Sequence, residues 1–243
     1  GTAPVAQTDV FTTNIGTKPA TGQIYRFTPP PAIGLEASSY CFTTASRTYS
    51  TLTGTNVPTL GSTADDVISA AISLPFSFNF GGADYGNVRI SSNGWLTFGS
   101  TTGITAAQNY TNNETNANVL RPVLMPLWDD MICTSIPKYT TSGTAPNRIF
   151  KVEWSGQRWG YNALGPVISF QVWLYEKSNV IEYTYDRDFW FVSSAGLATI
   201  GIYDANGRYL TLNNSGTNPT ASASTFTFNI NSKPENGQVY RFT

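Results

Sequence analysis

"ISFQVWLYEKSNVIEYTY", residues 168–185, is the stretch that decides the fold. In its first half Ile168, Phe170, Val172 and Leu174 alternate with Ser169, Gln171, Trp173 and Tyr175. A period of two places the first set on one face of a β-strand and the second on the other. "KSN" at 177–179 leaves room for a turn only, and the alternation then resumes with Ile181, Tyr183 and Tyr185 on one face. Two such runs joined by so short a link predict an antiparallel hairpin, and its apolar face requires a second layer to bury it.

The same pattern spreads outward in both directions. "RIFKVEW" puts Phe150, Val152 and Trp154 inward and Lys151 and Glu153 outward, while "ISLPFSFNF" puts Ile72, Leu74, Phe76, Phe78 and Phe80 on one face. Pro75 lacks the N–H that a ladder needs, which predicts an edge position for that strand. In "IGIYDANGRYLTL", 200–212, Asn206-Gly207 marks another hairpin, because both central residues of a type I′ turn take positive φ. "STADDVISAAISL" at 62–74 reads as turn then strand, and the polar stretch 99–118 reads as a long loop. With no sustained 3.6-residue period, the prediction is an all-β chain folded as an antiparallel β-sandwich, jelly-roll-like.

The chain also carries one segment twice. Residues 11–28 align without a gap on residues 226–243, and twelve of the eighteen positions are identical. An internal repeat changes the unit being folded. Residues 1–28 therefore read as a duplicate of the C-terminal segment, and 29–243 as a single domain closed by a hairpin at 226–243. Phe226, Phe228 and Ile230 form one arm of that hairpin, and Tyr240 and Phe242 the other. Phe11, Ile15, Tyr25 and Phe27 are their counterparts in the copy, and together these nine residues are the expected assembly strands. Two readings remain open: the copy ends a preceding module in a tandem array, or it adds as a strand to a neighbouring molecule, giving head-to-tail filaments.

Composition narrows the function classes. Charged residues are 12% of the 243, the formal net charge is −1, and Gly, Pro and aromatics are abundant, a profile that suits a turn-rich extracellular β protein. No basic cluster supplies the electrostatic footprint of a nucleic-acid binder, and no apolar run is long enough for a membrane span, so neither nucleic acid nor membrane insertion is expected. With no histidine, triads and zinc sites that depend on it are excluded. Cys41 and Cys133 allow one disulfide, which is the expectation, with two buried thiols as the alternative.

Four motifs follow in order: "VRISSNGWLTFGS" (88–100), "MPLWDD" (125–130), "ISFQVWLYEKSNVIEYTY" (168–185) and "ATIGIYD" (198–204). Together they resemble the nidogen-like extracellular domain and related repeat modules of secreted surface proteins from Bacteroidetes-type bacteria. The residues that carry the resemblance are Asn93, Gly94, Trp95 and Phe98, then Pro126, Trp128 and Asp130, then Phe170, Gln171 and Leu174, with Tyr183 or Tyr185 closing the pattern. It implies an extracellular sandwich module without known catalysis, secreted or held at the cell surface. The repeated terminal segment is not part of that pattern.

Three kinds of site remain as candidates. Asp65, Asp66, Asp129 and Asp130 supply hard oxygens for calcium, as does "DANG" at 204–207, where turn geometry is the competing explanation. Trp159, Tyr161 and Trp190 offer flat rings to surface glycans, against burial under a second layer. Glu153, Glu176 and Glu182 are the acids a glycoside-acting enzyme would use, but an outward Glu beside an outward Lys reads as solvated strand surface. The reading that follows is a non-enzymatic structural or adhesive module whose partners are copies of itself or adjacent repeats. A carbohydrate-binding module is the first alternative and a secreted glycosidase the second.

Overall fold

A computed structural model of the chain describes residues 36–162, 168–187, 196–216 and 218–243. Phe11, Ile15, Tyr25, Phe27 and Trp190 lie outside the described residues. Among the described residues fifteen strands run in chain order as β1 (Phe42–Ser46), β2 (Thr55–Asn56), β3 (Ile72–Phe80), β4 (Ala83–Ile90), β5 (Leu96–Thr97), β6 (Val123–Trp128), β7 (Met131–Ile132) and β8 (Lys138–Ser142). They continue as β9 (Ile149–Trp159), β10 (Ile168–Tyr175), β11 (Ile181–Arg187), β12 (Thr199–Tyr203), β13 (Tyr209–Leu212), β14 (Ala221–Ser222) and β15 (Gln238–Phe242).

These strands form two antiparallel sheets that pack as a sandwich. The first has the order β1-β15-β11-β10-β9-β8-β2, with β7 joining the far end of β9, and the second the order β14-β13-β12-β6-β5-β4-β3. The period-two residues meet between them: Phe150, Val152, Trp154, Phe170, Val172, Leu174, Tyr183 and Tyr185 from one sheet face Phe76, Phe78, Phe80, Leu124 and Ile202 from the other. β10 and β11 pair as the opening stretch predicts, with Val172 opposite Tyr183. β3 takes an edge, and its ladder with β4 is interrupted between Ser73 and Phe78, on either side of Pro75.

Two expectations are corrected. The closing segment does not fold back on itself as a hairpin: β15 lies between β1 and β11, so both its edges are taken by strands distant in sequence. The 226–230 arm instead runs beside the start of β12, where Ile230 bridges Ala198 and Phe226 packs on Tyr203 and Tyr209. The two arms thus serve opposite sheets. The stretch 99–118 is also more than a loop, because it holds α1 (Ala106–Tyr110) and the start of α2 (Glu114–Leu120). Thr105 and Gln108 form a reciprocal capping box on α1, and Asn113 caps α2 by accepting from the Asn116 N–H. Ala117 and Leu120 of α2 join a second apolar cluster with Trp95, Val123, Met125 and Trp128, on the face of β6 turned away from the main core.

The outer face of the first sheet is covered differently. β1 and β2 are its two opposite ends, six inter-strand spacings apart, yet only nine residue steps separate Ser46 from Thr55. Six spacings come to about 29 Å, and nine residues reach roughly 30–32 Å at full extension. Residues 47–54 must therefore cross that face nearly taut, as a strap.

Candidate functional site

Several of the residues that carry the family resemblance meet around one turn, Asn93-Gly94. Gly94 takes φ +73°, and a Cβ there would lie 2.1 Å from the Leu127 carbonyl oxygen, so the close approach of this turn to β6 requires glycine. Asn93 is fully buried, accepts from the Met131 N–H at 2.8 Å and donates to Asp66 at 2.9 Å. Trp95 and Trp128 both donate their indole N–H to the Asn109 carbonyl oxygen, at 3.0 and 2.8 Å. Trp154 donates to the Ser91 carbonyl and Tyr185 to that of Pro126, which ties the first sheet to the second. Trp154 and Tyr185 are thus spent on joining the sheets, and Trp95 and Trp128 on fixing the helical segment against β6.

Beside this turn Asp65, Asp66 and Asp130 bring a carboxylate oxygen each within 4.8 Å of one another, an arrangement of hard oxygens that could hold a divalent cation. Burial, reinforced by Asp66, Asp65 and Asp129, pushes the Asp130 carboxyl up to about 6. Asp65 is also raised, by burial and then by Asp66. Asp129 does not join them: its Oδ1 accepts from the Asp130 N–H and its Oδ2 from the Trp159 indole at 2.6 Å. Asp204 is likewise committed, with Oδ1 accepting from the Asn206 and Arg208 N–H groups and Oδ2 from Ala37, so turn geometry accounts for "DANG".

Under the strap lies a network that sequence reasoning missed. Glu153 and Glu182, expected as solvated surface, are 2% and 3% exposed because residues 47–54 cross over them. Glu153 accepts from the Tyr49 hydroxyl at 2.8 Å, the Leu52 N–H at 3.0 Å and the Gln171 amide at 2.9 Å. Gln171 also donates to the Ser50 carbonyl. Glu182 pairs with Arg47 and Arg241 and accepts from the Tyr175 hydroxyl at 2.6 Å. Burial works to raise its carboxyl, but the hydrogen bonds from Tyr175 and Arg47, the Arg47 charge and Arg241 hold it below its ordinary value. Glu176 is held by a two-pronged contact with Arg148 and drops to about 2. The signal for a cover was the outward pair Trp173 and Tyr175, since two large rings on a sheet's polar face call for something to pack on them.

Trp173 is half-buried with the Arg47 guanidinium 4.2 Å and the Lys151 ammonium 3.8 Å from its ring centre. Trp159, expected as a glycan platform, is 1% exposed and spends its N–H on Asp129, which corrects that assignment. Tyr161 is 54% exposed, and its proposed companion Trp159 does not share the surface with it. The expected disulfide is absent: Cys41 is an exposed thiol at the sheet edge, bonded through its backbone to Thr243, whereas Cys133 is buried, follows β7, and has its thiol pushed up to about 12 by burial.

The closing strand completes the picture. Gln238, Val239, Tyr240 and Phe242 are buried, and Gly237 at φ +72° lies against the strap, where a Cβ would meet the Arg47 carbonyl oxygen at 2.1 Å. Of the nine expected assembly residues, Phe226, Ile230, Tyr240 and Phe242 are buried within the chain's own fold, and Phe228 is 54% exposed. No helix among the described residues is long and apolar enough to cross a membrane. Comparison with known proteins found a family model described as NIDO related that matches residues 39–243. No curated protein and no solved structure matched.

Proposed function

The chain belongs to the NIDO-related family, and from that premise we propose that it is a non-enzymatic structural module of an extracellular surface protein, joined head to tail to further units through its closing strand. In this reading residues 11–28 fill, in another unit, the place that residues 226–243 fill here.

The observation that carries the reading is where the two copies differ. Phe226, Ile230, Pro234, Gly237, Gln238, Tyr240 and Phe242 are buried, and all recur as Phe11, Ile15, Pro19, Gly22, Gln23, Tyr25 and Phe27. The differences fall at the exposed positions Phe228, Asn231, Ser232 and Asn236, where the copy has Thr13, Gly16, Thr17 and Thr21, and at half-buried Glu235, which is Ala20. The single buried difference is Val239 against Ile24, one methylene. A segment free of the slot's packing demands would not keep its glycine, its three buried aromatics and its glutamine while varying, apart from one methylene, only outside. Trp154 and Tyr185, spent on joining the sheets, and Glu153, Glu176 and Glu182, engaged by Arg, Tyr and amide partners, add support for a structural role over a catalytic one.

Because β15 already occupies the slot between β1 and β11, the tandem arrangement is favoured over exchange between free molecules. Grafting the copy onto the closing segment, with F228T, N231G, S232T, E235A, N236T and V239I made together, tests the slot directly. The expected product folds and melts within a few degrees of the parent, whereas an unfolded product sinks the reading. Light-scattering mass of the chain with and without residues 1–28 then separates the arrangements. A monomer in both cases fits tandem units, and an oligomer that vanishes on truncation makes strand exchange the mode of assembly.

A further inference from the structure

β1 begins and β15 finishes at one corner of the sandwich. There the Cys41 N–H donates to the Thr243 carbonyl at 2.8 Å and the Thr243 N–H to that of Cys41 at 3.0 Å. From this corner the two strands run antiparallel, with Phe42 opposite Phe242, Thr44 opposite Tyr240 and Ser46 opposite Gln238. The Arg47 N–H reaches the Gly237 carbonyl at the far end. Residues 37–40 are fixed to the second sheet, since the Ala37 N–H donates to Asp204 at 2.7 Å and buried Tyr40 packs edge-on against Phe80.

The tandem reading proposed above puts such a unit under tension from both chain ends. Bonds in an antiparallel ladder lie perpendicular to the strands. A load that draws residues 41 and 243 apart therefore falls on one end of the ladder, and its bonds break in succession. A load along the strands would be shared by all of them. Peeling from the corner meets Thr243, then Phe242, which packs on Phe42 and Tyr183, then Arg241, paired with Glu182, and then Tyr240. Arg241 is the one charged residue of β15, and its contact is charge-assisted. The same series recurs in the copy as Thr28, Phe27, Arg26 and Tyr25. We infer that the unit is a force-yielding element, in which tension peels the closing strand from this corner and the Arg241–Glu182 pair is the catch that sets the yield. Tandem joining supplies the load, whereas a single unit suffices for the test.

Optical-tweezer pulling on single molecules of the full chain carrying Cys41→Ser provides it, with handles on cysteines introduced at exposed positions. Buried Cys133 takes no handle. Ser39→Cys with Thr243→Cys loads the corner. Ser39→Cys with Asn236→Cys loads β1 and β15 lengthwise, because position 236 lies beyond the opposite end of β15. Forced rupture reports the unfolding barrier. Corner loading should rupture the unit at a force several-fold below lengthwise loading, and Arg241→Gln should lower the corner force further. Equal forces in the two geometries, or a corner force that Arg241→Gln leaves unchanged, would overturn the peeling path. Should Arg241→Gln not fold, the two geometries decide alone. Neither force depends on whether units are joined, which the graft and the light-scattering mass test separately, so either idea can fail without the other.

Discussion

Gly237→Ala is the substitution on which the geometry of the closing strand makes its sharpest demand. Gly237 has φ +72°, and an added Cβ would lie 2.1 Å from the Arg47 carbonyl oxygen and 3.2 Å from its carbon. The obstruction is backbone, and that backbone is fixed, since the Arg47 N–H donates to the Gly237 carbonyl at 2.8 Å and the Gly237 N–H to that of Tyr185 at 2.9 Å. The left-handed conformation costs an alanine about 1–2 kcal/mol. Moving the start of the strap away from β15 adds about 2 kcal/mol, on the scale of overpacking a filled site. Gly103 is the internal control, with φ +81° and nothing within 4 Å of its Cβ position, so Gly103→Ala carries the conformational cost alone. Both variants share the same loss of unfolded-chain entropy, which cancels in the comparison. At roughly 2–4 °C per kcal/mol for a domain of this size, Gly237→Ala should melt about 4–8 °C below Gly103→Ala by circular dichroism. Equal melting temperatures would refute the argument that the strap and β15 are in rigid contact, and with it the reason that Gly22 recurs in the copy.

Two other outcomes follow from the titrating groups. The Asp130 carboxyl lies at about 6 in the fold against 3.8 as its ordinary value, so its cost to stability is absent below about pH 4, grows as pH rises through 6 and then levels off. Asp130→Asn should therefore stabilise the protein near pH 7 by about 1 kcal/mol, a figure reduced for partial exposure, and have no effect near pH 4 in urea unfolding at the two pH values. A gain of the same size at both would dismiss the carboxylate repulsion. For the cysteines, a thiol reagent should modify Cys41 in the native protein and reach Cys133 only in denaturant, giving one reactive thiol and then two. Native protein with no reactive thiol would mean that the cysteines are bonded after all.

What could be read from the sequence was whatever depends on residues near one another along the chain. Alternation fixed the faces of β3, β9, β10 and β11, Asn206-Gly207 located a turn, and Pro75 pointed to an edge, because period and turn chemistry are local properties. The duplicated segment was visible for the same reason. The partners of that segment were not, since both of its arms alternate and nothing local says that β15 pairs with β1 and β11 while Ile230 crosses to Ala198. Helices α1 and α2 were hidden by their brevity, and their caps, Thr105 with Gln108 and Asn113, came to light only in the structure. Trp159 and Trp173 show the limit most plainly. Each is a tryptophan on a strand, and only the tertiary structure decided that the first is sealed against Asp129 while the second lies under Arg47 and Lys151. The burial of Glu153 and Glu182 has the same origin. A strand's own residues set which way a side chain faces, but whether that face meets water depends on where a distant strap is stretched, and that is settled by two sheet edges at opposite ends of the fold.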